Sequence, residues 1–278
     1  MNPDSLRSAQ IYWNAAADTY EQKFTGTIVG QVRRQAVWRD MERVFRPGER
    51  VLEMNCGTGI DAVFLAGRGV RVLACDIAPR MIELAQERAD AADSEIRPDF
   101  RVLPTESISE LEKDGPFDGA FSNFAGLNCV ADLSQVAKDL GKLLKPGARF
   151  LMCMAGRFVP WEIAWYLAHG NPRQAVMRLH DQKIDFPGTA GLRVQRPAVA
   201  QITKQMGVHF RLLKWKGVGI TVPPSYMEHW ARRFPKLIGH LAEIDQRIGG
   251  LPLCRSMADG TLLEFERRRE TDGDTGSA

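Results

Sequence analysis

The chain is short of the residues that most often signal a function by themselves. Its 278 residues include five cysteines, Cys56, Cys75, Cys129, Cys153 and Cys254, with no C-x-x-C pair among them. That scatter supports neither a disulfide framework nor a cysteine zinc site. Cys75 and Cys153 stand in apolar runs and read as small core residues. No grouped His, Cys or carboxylate spacing implies a metal, so none is expected. Long hydrophobic runs are missing too. The apolar stretches are broken by charges well before they could span a bilayer. The opening MNPDSLRSAQ lacks the apolar core of a signal peptide, so the cytoplasm is the expected location. Charge of one sign is also scarce. Lys and Arg number 37 against 34 Asp and Glu, and a net charge of +3 gives no reason to expect a nucleic-acid partner.

What is present is an ordinary globular balance, 44% hydrophobic and 26% charged, long enough for one large domain or a domain with a cap. Strand-like and helix-like segments alternate through the first 155 residues. Residues 31–45 place Val32, Ala36, Val37, Val44 and Phe45 near one helical face, and Pro47-Gly48 ends that helix. Strands are expected at 50–54, 70–75, 99–103, 117–122 and 148–154. Helices are expected between them, with Pro79 in the first turn of one and Asp132 capping another. Lys145-Pro146-Gly147 reads as the turn before the fifth strand. Such alternation predicts a parallel sheet covered on both faces, an α/β fold. The rhythm breaks after residue 155. Residues 156–195 hold helical pieces, 196–207 a regular helix, 209–222 a strand with a glycine break, 225–250 basic helices and 261–268 a last strand. The tail from 269 to 278 has no core-forming residues and is expected to be disordered.

One segment carries chemistry. Glu53-Met54-Asn55-Cys56-Gly57-Thr58-Gly59 lies between a strand and a helix. Gly57 and Gly59 can adopt backbone angles denied to other residues and admit a ligand close to a helix N-terminus. Asp76 follows at the end of the neighbouring strand, where an acid accepts hydrogen bonds from ribose hydroxyls in dinucleotide folds. Strand, glycine turn, helix, strand and acid together point to an adenosine-type cofactor. Gly57-x-Gly59-x-x-Ala62 also satisfies the looser nicotinamide fingerprint, so the pattern alone leaves NAD(P) open.

VLEMNCGTGIDAVFLAGRGVRVLACD resembles the cofactor segment of class I methyltransferases that use S-adenosylmethionine (SAM), whose usual form is V-L-E/D-x-G-C-G-T-G. The resemblance covers roughly residues 10–155. It implies a Rossmann-like, mostly parallel seven-stranded sheet with helices on both faces, a final antiparallel strand and a helical cap. It divides the chain into a SAM-binding core (1–155), a cap insertion (156–195) and a completion of the core (196–268) containing a second helical insertion (223–258). The cofactor implied is SAM. Glu53 would lie near its methionine moiety, with Asn55, Cys56, Gly57, Thr58 and Gly59 wrapping it. Asp76 would bind the ribose, and Ile77 and Met81 would flank the adenine. Tyr20 matches an aromatic that often closes over the cofactor. Two positions depart from the pattern. Asn55 replaces the first glycine, a mild change because asparagine tolerates left-handed angles. Pro104 stands where many relatives have an adenine-binding aspartate, which shifts that role to Thr105 or Glu106.

The resemblance further implies that the loop after the fourth strand, with Ser122, Asn123, Phe124 and Asn128, faces the transferred methyl. Methyl transfer is an in-line displacement, so alignment and water exclusion dominate and a base is needed only for a nucleophile that must lose a proton. Asn123, His180 and His229 are the catalytic candidates. The two insertions would form a lid, with aromatics from Phe158 to Met177 and from Tyr226 to Leu237 interspersed with arginines. That mixture suits a small hydrophobic or aromatic acceptor with an acidic group, and would also suit a lipid at a membrane surface. The alternatives are an NAD(P)-dependent oxidoreductase and a catalytically inactive SAM-binding partner protein.

Overall fold

Alternate residues along the central strands belong to two different cores, and this fixes the layering. The structure, a computed structural model, describes residues 3–269. In β1 (Arg50–Met54), Leu52 and Met54 pack on one side of the sheet and Val51 on the other. In β5 (Leu144–Ala155), Phe150, Met152 and Met154 join the first core, and Leu151 and Cys153 the second. A period of two with both faces apolar is the mark of a strand buried on both sides.

The sheet has seven strands: β1, β2 (Arg71–Asp76), β3 (Asp99–Val102), β4 (Phe117–Ser122), β5, β8 (Phe210–Val218) and β9 (Gly260–Arg267). Their order is β3-β2-β1-β4-β5-β9-β8. β9 runs antiparallel to both its neighbours, and every other pairing in the sheet is parallel. One layer packs α5 (Leu133–Leu143) and α8 (Val199–Met206) on the sheet through Leu140, Ile202 and Met206. The other packs α2 (Ile28–Val44), α3 (Ile60–Ala66) and α4 (Pro79–Ala91) through Val37, Met41, Leu65 and Ile82. Asp132 caps α5 as expected, accepting from the amides of Ser134 and Gln135.

Several local expectations are corrected. The N-terminal stretch, to which the sequence reading assigns no element, forms a helix, α1 (Pro3–Tyr20), continued by a short π-helical segment Glu21–Thr25. Trp13, Ala17 and Tyr20 of α1 pack on Ala78 and Met81, a tertiary contact that no local periodicity reports. Lys145-Pro146-Gly147 is a bulge inside β5 rather than a turn before it. Phe117 pairs with Leu144 and Gly119 with Arg149, so the extra residues loop out of the ladder. β8 stops at Val218 instead of reaching residue 222. The segment 156–195 holds α6 (Pro160–Ala168) and α7 (Pro172–Ala175), but ends in a two-stranded hairpin, β6 (Gln182–Ile184) with β7 (Leu192–Val194). Gly188 and Gly191, both at positive φ, build its connection. Between β8 and β9 lie α9 (Glu228–Arg233) and α10 (Pro235–Ile248), separated where Pro235 starts the second helix. Of the tail expected from residue 269, only Arg269 falls among the described residues.

The second insertion docks on α2 rather than standing apart. Ile238 and Ala231 pack with Val29 and Val222. Glu228 accepts hydrogen bonds from the free amides of Ile28 and Val29 at the α2 N-terminus, at 3.0 and 3.3 Å. Asp245 accepts from the amides of Ile220, Thr221 and Val222, which ties α10 to the chain leaving β8.

Candidate functional site

The carboxyl ends of β1, β2 and β4 open into a cleft lined by both polar and apolar side chains. Its floor is the turn after β1. Asn55 takes φ 57° and Gly57 φ 53°, both left-handed. A Cβ on Gly57 would find no neighbour nearer than Tyr20 at 4.0 Å, so that position borders open space. Gly59 is used differently. A Cβ there would lie 2.6 Å from Cβ of Ala85, so its bareness lets α3 and α4 pack closely, and it does not line the cleft. Asp76 holds the turn in shape. One carboxylate oxygen accepts from the Gly57 amide and the other from the Ala78 amide, each at 2.9 Å.

A buried polar network lies beneath. Asp61 accepts from Arg34 and Trp38 at 2.6 Å and from Asn123 at 2.9 Å. The Arg34 guanidinium also stands 4.5 Å over the ring of Phe124. Glu53 is 1% exposed. Burial first, and then the charge of Asp61, pushes its carboxyl well above the usual range. Glu53 Oε2, Thr105 Oγ1 and Asn123 Oδ1 are buried without a hydrogen-bond partner, and all three residues line the cleft. Unpaired buried polar atoms are costly, and their gathering around one cavity is what a polar ligand would relieve.

The rim comes from the N-terminal helix. Leu6, Ala9, Trp13 and Tyr20 close one side. Thr58 donates to Glu21 at 2.8 Å, and Arg88 pairs with Glu21 while donating to the Thr58 carbonyl at 2.9 Å. The segment Glu21–Thr25 is thereby fastened to the glycine turn.

Of the residues proposed from sequence, Tyr20, Glu53, Asn55, Cys56, Gly57, Thr58, Asp76, Ile77, Met81, Thr105, Glu106 and Asn123 line this cleft. Ser122 lies just below, donating to the Asn55 side chain at 3.1 Å. His180 and His229 are exposed and line neither this cleft nor the cavity beside it, so the structure removes both as base candidates. Residues that sequence reasoning missed are Leu6, Ala9 and Trp13 on the rim, Arg34, Ile60 and Asp61 beneath, and Gly126, Cys129 and Val130 opposite. Asp61, two residues after the glycine motif, was the one with a readable signal.

A second cavity abuts the first and shares Trp13, Tyr20 and Phe124 with it. Phe24, Ala125, Met154 and Val218 add apolar wall, and Arg33 and Asp259 are its charged members. Burial works against ionised Asp259, yet Arg33 and Arg178 together outweigh it and hold the carboxyl below its usual range. Arg178 contacts Asp259 at 2.7 Å and Glu162 of α6 at 2.8 Å, joining the cap to the cavity wall.

Known proteins resemble the chain in sequence over part of its length and in fold over most of it. Residues 51–147 match a family model described as a methyltransferase domain. The ubiquinone biosynthesis O-methyltransferase of Xanthomonas campestris is 33% identical over 115 residues, 41% of this chain and 46% of that protein. The tRNA 5-carboxymethoxyuridine methyltransferase of Escherichia coli is 32% identical over 136 residues, 47% of this chain and 51% of that protein. The chain thus spans about half the length of the curated relatives it matches. Among solved structures, magnesium protoporphyrin IX methyltransferase from Synechocystis, crystallised with S-adenosylhomocysteine, superposes with a TM-score of 0.57 at 16% identity, over 95% of this chain and all of that one. Residues 51–147 thus match a methyltransferase domain, and the chain as a whole has a fold seen in solved SAM-dependent methyltransferases.

Proposed function

We propose that the protein transfers a methyl group from SAM to a small apolar acceptor seated in the second cavity. The observation that carries this reading is the adjacency of the two cavities across Trp13, Tyr20 and Phe124, at the carboxyl ends of β4 and β5. The residues of the first cavity fit the cofactor. The bare Gly57 gives room for close approach, and Glu53, Thr105 and Asn123 offer unpaired polar atoms. Glu53 would receive the ammonium of the methionine moiety, Asp76 the ribose hydroxyls, and Ile77 and Met81 the adenine faces. Thr105 and Glu106 stand on the adenine side, where Pro104 replaces an acid.

SAM supplies an electrophilic methyl on a sulfonium. The chain's own contribution is to orient and to exclude water. Phe24, Phe124 and Tyr20 wall off the junction between the cavities. The Arg34–Asp61–Asn123 network fixes the loop carrying Phe124, since Asn123 is held from below by Asp61. Among the described residues lining the second cavity, Tyr20, Cys153 and Asp259 are the groups able to carry a proton. Burial pushes the Cys153 thiol to about 12, and Asp259 is committed to two arginines. This favours an acceptor whose nucleophilic atom needs little help to ionise, such as a carboxylate or an acidic phenol.

A second reading, methylation of a nucleotide in RNA, is favoured by the Escherichia coli relative, whose name places its action on tRNA. The two are separated by incubating the protein with labelled SAM and either aromatic acids and phenols or bulk tRNA. Label in the organic extract supports the proposed function. Label retained only in tRNA supports the second reading, and label in neither, with SAM bound, indicates a binding protein without this activity.

A further inference from the structure

Helix α6 is inside out. Its sequence PWEIAWYLA carries one charged residue, Glu162, and that residue is buried at 5% exposure and paired with Arg178. Trp161 and Leu167 face outward instead, 39% and 55% exposed, while Ile163, Trp165 and Tyr166 are half-buried. A water-facing helix on a monomer shows the reverse arrangement. The neighbouring segments extend the same surface, with Phe158 at 41%, Val176 at 45% and Met177 at 40% exposure. The second insertion meets it where the rings of Tyr166 and Tyr226 lie 6.1 Å apart, and Tyr226 is itself 45% exposed. Exposed apolar side chains gathered on adjoining segments in this way mark a place where something docks.

The charges carried by the two insertions say what. Arg157 precedes α6 and Arg173 sits on α7, which packs against α6; both are exposed. Arg193, Arg232, Arg233 and Lys236 are exposed on the same two insertions. The exposed carboxylates there are Asp181, Asp185 and Glu243, and Asp185 faces Lys183 at 3.7 Å. An apolar face with tryptophan and tyrosine at its margins and a surplus of arginine is the composition of an interfacial membrane contact. We infer that the cap docks on an anionic lipid bilayer through the outward face of α6, lying in the interface without crossing it. Among the described residues no helix is long and apolar enough to cross. Because Glu162 and Arg178 of this cap reach Asp259 in the wall of the second cavity, docking would set that cavity near the bilayer. Only this last step rests on the proposed function; the docking face does not.

Co-sedimentation with phosphatidylcholine vesicles containing about a third phosphatidylglycerol tests the inference. The wild-type protein should pellet with these vesicles, less with pure phosphatidylcholine, and less at high salt. The double variant Trp161→Ser, Leu167→Ser should lose at least tenfold in vesicle affinity while keeping the wild-type melting temperature, since both side chains are exposed. Arg173→Glu should weaken binding to the anionic vesicles specifically. Equal binding by wild type and the double variant overturns the inference, as does a wild type that never pellets. So does self-association abolished by the same substitutions without any lipid binding, which would assign the face to a second copy of the chain. SAM affinity, measured separately, reports on the proposed function and leaves this result unaffected.

Discussion

Asp76 does two things at once, and that sharpens what its loss should cost. The proposed function gives it a ribose to bind, and it already accepts from the Gly57 and Ala78 amides at 2.9 Å. Asp76→Ala should therefore weaken SAM binding by roughly 1–3 kcal/mol through lost charge-assisted hydrogen bonds, with the glycine turn loosened as well. Calorimetry gives the affinity, and hydrogen exchange at Gly57 reports the loosening. Glu53 makes a prediction in pH. Its carboxyl is raised by burial and by Asp61, so the proton it keeps in the folded state is lost on unfolding. Its contribution to stability is fully present below the unfolded carboxylate range and fades as pH rises through the raised folded value. Glu53→Gln should thus leave the ligand-free protein unchanged in acid and more stable than wild type at mildly alkaline pH. The same variant should bind SAM at least tenfold more weakly, because a neutral amide cannot match an ammonium. A melting series across pH checks the first outcome, and an alkaline curve parallel to wild type would contradict it. The local motif made Glu53, Gly57 and Asp76 readable. It could not reveal that Gly59 serves helix packing, because that depends on Ala85, 26 residues away.

At the scale of elements, the link between cap and core is the feature most open to test. Arg178 sits between Glu162 of α6 and Asp259 beside β9. Arg178→Met should destabilise the protein by about 3 kcal/mol, since it strands Glu162 in a buried position. Adding Glu162→Met should recover much of that loss, as apolar replacements of buried pairs tend to do. Chemical denaturation of the two variants gives the comparison, and equal loss in both would mean the pair is not coupled. Elements differed in how legible they were for a physical reason. β1, β2, β4 and β5 announce themselves because strands buried on both faces read as apolar runs. α1 and the β6–β7 hairpin do not. α1 is held by Ala78 and Met81 of another element. The hairpin depends on the positive φ of Gly188 and Gly191 in a stretch with little apolar content.

Across the whole molecule, the two cavities divide what a sequence shows from what it hides. The matched segment, residues 51–147, holds most of the first cavity's floor and none of β8, β9 or the insertions. The floor of the first cavity comes from one contiguous run, residues 53–61, and the resemblance reaches the ends of the next strands, so most of its expected residues gather there. The second draws on α1, α2, β4, β5, β8 and β9 together, distances along the chain that no local pattern spans. The cleft at the carboxyl ends of β1 and β2 is the proposed seat of SAM. Titration calorimetry of the wild-type protein and Gly57→Val against SAM, S-adenosylhomocysteine and NAD tests it most directly. The wild-type protein should show one site for SAM and its demethylated product and no binding of NAD, and Gly57→Val should lose the site, since its side chain would occupy the open space beside Tyr20. Binding of NAD without the SAM pair, or wild-type SAM affinity in Gly57→Val, would contradict it.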